Sequence, residues 1–169
     1  MNCDPIVEVD KAYFFKSFLV LNCMLSELIQ RVKEYNPQAN LELIEKAFFF
    51  ADNAHKGQKR KSGEDYIIHP HEVALILTEL KADSASICAG LLHDVLEDCD
   101  VKLKELEKEF GKEIADLVEG VTKLNKVHFE DKEDYSAENV RKVLLATTKD
   151  IRVIMIKLAD RLHNLRTIQ

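Results

Sequence analysis

The sequence predicts an all-α fold, and three observations lead to that prediction. Apolar residues recur at helical spacing in one segment after another of the 169-residue chain. Only five glycines and three prolines interrupt these segments, and alternating runs of β-branched residues are few. A chain of this length can bury the core of one domain, so we expect a single domain over residues 1–169.

Three amphipathic helices are predicted in the first half of the chain. The first covers residues 11–35, and Asn36-Pro37 ends it because a residue before proline avoids the helical conformation. The second covers residues 40–57 and closes at a glycine. The third covers residues 70–80 and begins at a proline, which suits a first helical turn.

The second half of the chain is also predicted to be mostly helical. Asp83 or Ser84 should cap a buried helix that runs into an acidic cluster. Two helices, at residues 101–110 and 112–125, are separated by Gly111. The last part of the sequence predicts a polar loop at 126–135, a helix from Ser136 to about residue 148, and a helix capped by Asp150 at 151–166. Because the 151–166 helix is broadly apolar, we expect it to be largely buried.

A basic loop, residues 58–66, follows the second helix. Together with Lys56, the side chains of Lys59, Arg60 and Lys61 make this the most basic patch of an acidic protein. Arginine offers a planar fork to phosphate and a face to a nucleobase, so the loop predicts an anion site. The alternative is an ordinary solvated loop.

The acidic cluster at residues 93–98 reads His-Asp-Val-Leu-Glu-Asp and follows a small, apolar run. In a helix Asp94, Glu97 and Asp98 would share one face, where three carboxylates repel each other. A divalent cation would remove that repulsion, with other elements completing its ligands. The alternative is a solvated helix end beside a core histidine.

A polar stripe on the last predicted helix needs a partner. Lys157, Asp160 and Asn164 lie three and four residues apart, so they share one side of an otherwise apolar helix. A metal and a ligand would provide that partner. The alternative is a salt-bridged seam between helices.

The overall charge restricts the function and location we expect. The chain carries 24 Lys and Arg against 30 Asp and Glu, a net charge of −6, which argues against general nucleic-acid binding. Four cysteines show no paired spacing, and Cys23 and Cys88 are expected to be core thiols in a reducing compartment. The amino terminus is acidic rather than basic and no small-residue cleavage site follows it, so we do not expect a secretory signal peptide. The apolar stretch 13–25 is too short to cross a bilayer. We therefore expect a cytoplasmic protein without a membrane partner.

The motifs resemble the hydrolase domain of the RelA/SpoT (Rel) stringent-response proteins, which belongs to the HD metal-dependent phosphohydrolases. The resemblance covers residues 40–169 and implies an HD-domain helical bundle. Its motifs, in chain order, are residues 54–64, Tyr66, His69-Pro70, residues 93–98, residues 120–124, and Ile-Lys-Leu-Ala-Asp-Arg-Leu-His-Asn-Leu-Arg-Thr at 156–167. Cys99 departs from the family, which usually has threonine there.

The resemblance implies hydrolysis of the alarmone (p)ppGpp to GDP or GTP and pyrophosphate with one Mn²⁺. By position, the implied metal ligands are His69, His93, Asp94 and Asp160. The implied catalytic pair is Glu97 and Asp98. The residues implied to grip the nucleotide are Arg60, Lys61, Ser62, Tyr66, Asn164 and Thr167.

Long members of this family continue into a synthetase domain, which acts as a GTP pyrophosphokinase, and into regulatory domains. We therefore expect the chain to be the N-terminal fragment of a bifunctional protein; the alternative is a small stand-alone hydrolase. Regulatory domains or the ribosome would be partners only through those other parts. Two alternatives stay open: an HD phosphohydrolase of another nucleotide, such as a dNTP or a cyclic nucleotide, and a regulatory domain with a vestigial site.

Overall fold

The described part of the protein is all-α, as predicted. The computed structural model describes residues 6–125 and 150–167. Within them, extended backbone pairs only in one antiparallel bridge between Lys59 and Asp65. None of the described helices combines the length and apolar character needed to cross a bilayer. The helices are α1 (Ile6–Tyr35), α2 (Leu41–Ala54), α3 (Ile68–Glu79), α4 (Ser84–Leu92), α5 (Val95–Asp98), α6 (Leu103–Phe110), α7 (Lys112–Asn125) and α8 (Ile151–Arg166).

Most helix boundaries lie within a few residues of the predicted ones, because the predicted capping residues form hydrogen bonds at the helix ends. Asp83 accepts a hydrogen bond from the Ser86 amide at 2.8 Å, and Asp150 accepts one from the Arg152 amide at 2.9 Å. Gly111 follows α6 with a φ of 82°, a conformation that favours glycine. The predicted loop at 126–135 and helix at 136–148 lie outside the described residues.

One boundary differs in a way that matters for the site. The buried helix was expected to run into the acidic cluster, but α4 ends at Leu92 and a separate short helix, α5, starts at Val95. His93 and Asp94 form the break between them. Asp94 then serves as the N-terminal cap residue of α5, and its carbonyl accepts from the Glu97 and Asp98 amides at 3.1 and 2.9 Å. Periodicity could not reveal this break, because both helices continue the same apolar pattern.

Helix α4 lies at the centre of the core, where it packs against α2, α3, α7 and α8. Its Ile87, Leu91 and Leu92 side chains are fully buried, and burial of each contributes roughly 1.5–3 kcal/mol to stability. A Cβ atom at Gly90 would lie 2.5 Å from Leu77 Cδ1 of α3. The missing side chain therefore allows α3 and α4 to approach closely.

A second close approach positions α8 against α7. A Cβ atom at Gly120 would lie 2.8 Å from Cγ2 and 3.3 Å from Cγ1 of Val153. Valine is stiff about χ1, so this side chain could not easily move away. Glycine at residue 120 thus brings α8 onto the core at its N-terminal end.

Two expectations about burial were wrong. Helix α8 is buried on one face only, since Leu158 and Leu165 are 63% and 67% exposed on the opposite side. Its apolar residues are distributed around the helix, and a count of them does not reveal which side faces the core. Cys88 is buried as expected, but Cys23 is exposed because it lies on the outer side of α1.

Candidate metal centre

Three separate elements bring the four predicted metal ligands together. His69 lies in the first turn of α3, and Asp160 lies in the buried face of α8. His93 and Asp94 occupy the break between α4 and α5. All four side chains are buried. We call them the histidine–aspartate cluster.

The distances within the cluster are short enough for one shared cation. One nitrogen or oxygen atom each of His69, His93 and Asp160 lie within 4.8 Å of one another. Asp160 Oδ1 lies 3.3 Å from His69 Nε2 and 3.9 Å from His93 Nε2. Asp94 Oδ2 lies 3.5 Å from His69 Nε2 and 3.1 Å from His93 Nε2. Ligand bonds near 2 Å to an ion among these atoms would be reached with small side-chain movements.

His93 shows most directly that the cluster fits a metal ion. Its Nδ1 lies 2.8 Å from the carbonyl oxygen of Gly90, so Nδ1 carries the proton in the neutral ring. Its Nε2 is buried and has no hydrogen-bond partner among the described residues. The Nε2 lone pair faces the Asp94 carboxylate, an arrangement that is unfavourable unless a cation or a proton lies between them. Imidazole nitrogens and carboxylate oxygens together suit a divalent transition metal, so these residues could hold one.

The pKa shifts within the cluster arise because its imidazole rings and carboxylates lie close to one another. Burial disfavours a charged His93 ring, but the Asp94 and Asp160 carboxylates outweigh this and raise the pKa of His93. Burial alone would raise the pKa of Asp94, yet the neighbouring His93 and His69 rings and the Tyr66 hydroxyl lower it to about 2. Asp160 also has a lowered pKa, because its contacts with His69, His93 and Lys157 outweigh its burial. The site thus keeps its carboxylates ionised and attracts positive charge.

Tyr66 connects the cluster to the predicted catalytic pair. Its hydroxyl oxygen lies 2.9 Å from Asp94 Oδ2 and 2.7 Å from Asp98 Oδ2. Burial and the two carboxylates raise the pKa of Tyr66, so the hydroxyl stays protonated and donates to one of them at a time. Its ring stacks on His55 with centroids 4.2 Å apart. Asp98 and Glu97 are both exposed at the edge of the site.

Arg60 and Asn164, two predicted nucleotide-binding residues, also reach the cluster. Arg60 Nη2 donates to Asn164 Oδ1 at 2.9 Å, and Asn164 Nδ2 donates to Asp160 Oδ1 at 2.6 Å. Lys157 donates to the other oxygen of Asp160. These contacts attach the basic loop to α8 beside a predicted metal ligand.

The other predicted nucleotide-binding residues lie farther from the histidine–aspartate cluster. Lys61 and Ser62 are exposed in the basic loop, where Ser62 donates to Glu64 at 3.1 Å. Thr167 follows the last turn of α8, and its hydroxyl lies 3.1 Å from the carbonyl oxygens of His163 and Asn164. The loop is also joined to α5, because Gln58 Nε2 donates to the Asp98 carbonyl at 2.9 Å.

The sequence analysis did not identify His163 as a site residue. This buried ring places its Nδ1 2.7 Å from His69 Nδ1 and 3.2 Å from Arg60 Nη1. Burial and the neighbouring His69 and Arg60 lower its pKa to about 4. The available signal was its position three residues after Asp160, on the side of α8 that faces the core.

Comparisons with known proteins show which family this chain resembles. A family model described as "HD domain" matches residues 47–169. The bifunctional (p)ppGpp synthase/hydrolase SpoT of Escherichia coli is 48% identical over 145 residues, which are 86% of this chain and 21% of that protein. A GTP pyrophosphokinase rsh of Brucella melitensis is 49% identical over 142 residues, 84% of this chain and 19% of that protein.

A solved structure is similar as well. It is described as a metazoan ortholog of SpoT that hydrolyses ppGpp and plays a role in starvation responses. It matches with a TM-score of 0.57 and 32% identity, over 73% of this chain and 68% of the other. The chain spans about a fifth of the length of the curated relatives it matches.

Proposed function

The chain belongs to the HD domain family, within the RelA/SpoT group of hydrolase domains, and we therefore propose that it hydrolyses (p)ppGpp. The products would be GDP or GTP and pyrophosphate, released by cleavage at the 3′ side of the ribose. In a longer protein this activity would accompany (p)ppGpp synthesis by a GTP pyrophosphokinase domain.

One observation carries the proposal. The buried His93 Nε2 has no hydrogen-bond partner among the described residues and faces the carboxylate of Asp94. His69 and Asp160 lie within reach of the same point. A neutral His93 with no bound cation would leave this buried nitrogen unpaired, at a cost of roughly 1–3 kcal/mol. A divalent cation held by the four side chains would remove that cost.

We propose Mn²⁺, one per chain, as the ion that His69, His93, Asp94 and Asp160 would hold. Two imidazoles and two carboxylates suit a borderline or hard cation and do not suit an all-thiolate zinc site. When bound, such an ion lowers the pKa of a water molecule and polarises a phosphoryl oxygen.

The acidic pair would supply acid–base catalysis, and the basic loop would bind the nucleotide. Glu97 and Asp98 would orient and deprotonate the attacking water or protonate the leaving oxygen, with Tyr66 holding Asp98 in place. The nucleotide would lie between these carboxylates and the basic loop, with its guanine toward Arg60 and Tyr66. The residues proposed to bind it are Arg60, Lys61, Ser62, Tyr66, Asn164 and Thr167.

We place this activity in the cytoplasm, because Cys23, Cys88 and Cys99 are all free thiols and a reducing compartment preserves such thiols. The substrate is the partner that we propose for this domain. We propose no nucleic-acid and no membrane partner.

A hydrolysis panel tests the proposal. The chain is incubated with ppGpp, pppGpp, dGTP and a cyclic dinucleotide, each with Mn²⁺ and with a chelator. We expect release of pyrophosphate from ppGpp and pppGpp with Mn²⁺ only. Turnover of dGTP or the cyclic dinucleotide instead would favour a different HD phosphohydrolase. No stoichiometric manganese and no turnover would favour a vestigial regulatory domain.

A further inference from the structure

Two ring nitrogens face each other beside the histidine–aspartate cluster. His69 Nδ1 and His163 Nδ1 lie 2.7 Å apart, and both rings are buried. At this distance one nitrogen must carry a proton and the other must offer a lone pair. The direction of this hydrogen bond decides which nitrogen of His69 is available to a metal.

Arg60 decides the direction. Its Nη1 lies 3.2 Å from the same His163 Nδ1, and a guanidinium group is always a donor and never an acceptor. A proton on His163 Nδ1 would point at the N–H groups of Arg60. His163 Nδ1 must therefore be the acceptor, and His69 Nδ1 must be the donor.

We propose that His163 is a positioning residue whose Nδ1 lone pair, kept free of a proton by Arg60, holds His69 in the tautomer that leaves Nε2 open to a divalent cation. Arg60, which belongs to the basic loop, is thereby connected to a metal ligand of α3 through a side chain of α8. This inference rests on the proposed metal site, but the tautomer of His69 can be observed without metal or substrate.

The two histidines of the cluster are oriented by different means. His93 donates its Nδ1 proton to the backbone carbonyl of Gly90 at 2.8 Å, which no side-chain substitution can remove. The Nδ1 proton of His69 is instead accepted by a side chain, that of His163. Partners of this kind fix the tautomer and ring orientation of a ligand, and their loss typically costs 10–100-fold in metal affinity. A mutation of the hydrogen-bond partner can therefore disturb the orientation of His69, but not that of His93.

The test uses the full chain and two substitutions at one position. His163→Asn keeps a hydrogen-bond acceptor near the place of Nδ1, whereas His163→Leu removes it at similar volume. Nitrogen-15 spectra of the His69 ring, recorded on metal-free protein near pH 8, report the tautomer. Titration with Mn²⁺, followed by the electron paramagnetic resonance of the free ion, reports the affinity. Melting temperatures report whether each variant is folded.

We expect the Nδ1–H tautomer of His69 in the parent and in His163→Asn, and a shift toward the Nε2–H tautomer in His163→Leu. Mn²⁺ affinity should fall by about 10–100-fold in His163→Leu and by only a few-fold in His163→Asn. Arg60→Met, which removes the donor that orders His163, should also give a mixture of His69 tautomers.

Two results would overturn the inference. One is a His69 ring in the parent whose Nδ1 carries no proton. The other is a folded His163→Leu variant with the parent tautomer and the parent Mn²⁺ affinity. A parent with the expected tautomer that hydrolyses no ppGpp would instead count against the proposed function alone.

Discussion

Helix α8 carries two clusters of charged side chains that are built in opposite ways. Near its N-terminus, Arg152 bonds three carboxylates: Asp83 at 2.8 Å, Glu113 at 2.7 Å and Asp150 at 2.7 Å. Two of these carboxylate side chains are more than half exposed. Two turns later, Asp160 lies in the buried histidine–aspartate cluster.

The difference between them lies in where the positive charge comes from. The first cluster has its own permanent cation, and the three carboxylates together raise the pKa of Arg152. The second cluster contains two carboxylates and two imidazoles out of contact with most water, and one imidazole nitrogen has no hydrogen-bond partner among the described residues. The first cluster is complete as a surface ion-pair network, whereas the second one could hold a cation that would complete it. Burial combined with an unpaired nitrogen is what marks the second cluster, and not the first, as a candidate metal site.

Asp160→Asn gives the sharpest contrast and the largest expected effect. The change keeps the side-chain volume but removes a charged ligand from the second cluster. Mn²⁺ affinity and ppGpp turnover should both fall by more than about 100-fold, beyond the range for a lost outer partner. Equilibrium dialysis and a pyrophosphate assay measure the two quantities. Asp150→Asn, in the first cluster, is the matched control and should bind Mn²⁺ like the parent.

Asp98→Asn and Glu97→Gln test how far the functional cluster extends. Both residues are exposed beside the cluster, and we expect both variants to keep Mn²⁺ and the fold. Turnover of ppGpp should fall by about 10²-fold or more, the usual scale for a lost general acid or base. Single-turnover hydrolysis, bound manganese and melting temperature are the measurements. Parent-like turnover with manganese bound would make the pair a solvated helix end.

Arg60→Ala probes an arginine that is joined to the second cluster through Asn164 and His163. The proposed site places Arg60 at the guanine, away from the bond that breaks, so the substitution should raise KM for ppGpp by about tenfold. The decrease in kcat should be smaller than the change in KM. At low Mn²⁺ concentration kcat should fall further if the substitution also weakens Mn²⁺ binding. Steady-state kinetics at saturating Mn²⁺ separate the two effects. An unchanged KM would contradict the placement of the nucleotide.

Arg152→Met breaks the first cluster and should leave the second intact. The ion pairs are largely exposed, so we expect a loss of roughly 1 kcal/mol or less in the free energy of unfolding. Mn²⁺ affinity and ppGpp turnover should match the parent. Urea unfolding and the pyrophosphate assay make the comparison. A large loss of metal binding would show that the two clusters are coupled through α8.

Acid should erase the stability difference between the parent and Arg152→Met. Burial raises the pKa of Asp83, but hydrogen bonds from Ser86 and then from Arg152 lower it below the ordinary value of 3.8. Hydrogen bonds from Arg152 likewise lower the pKa of Asp150. Because the folded pKa values are the lower ones, the stabilisation is present above that value and is lost as the pH falls through them. Unfolding curves of both proteins between about pH 7 and 2 measure this effect, which is the smallest one expected here.

The sequence predicted the parts of this structure that depend on local pattern. Helix α7 matches the predicted residues 112–125, and α8 matches 151–166, because helical periodicity and capping residues act over a few residues. The resemblance to the RelA/SpoT hydrolase domains, not local pattern, implied His69, His93, Asp94 and Asp160 as ligands, and the fold brings these side chains together. That these four side chains bind a metal stays a prediction.

The features that the sequence did not predict depend on contacts between distant segments. The contact between His163 and His69 spans 94 residues, and the spacing of His163 from Asp160 shows only that His163 faces the core, not which residue it meets. The break between α4 and α5 and the exposed leucines of α8 follow from which neighbour each helix packs against. Composition and periodicity describe one helix at a time, so they do not contain this information.

Gly90 gives the site what a coordination chemist would call its bite, the spacing of two donor atoms on one ligand frame. His69 begins α3 and His93 follows α4, so the separation of these helices sets the separation of the imidazoles, whose centroids are 5.0 Å apart. A methyl group at residue 90 would meet the end of the Leu77 side chain, so that either this side chain or the two helices would have to move. The bite, and with it the radius of ion that the imidazoles can share, therefore depends in part on a residue that offers no ligand atom.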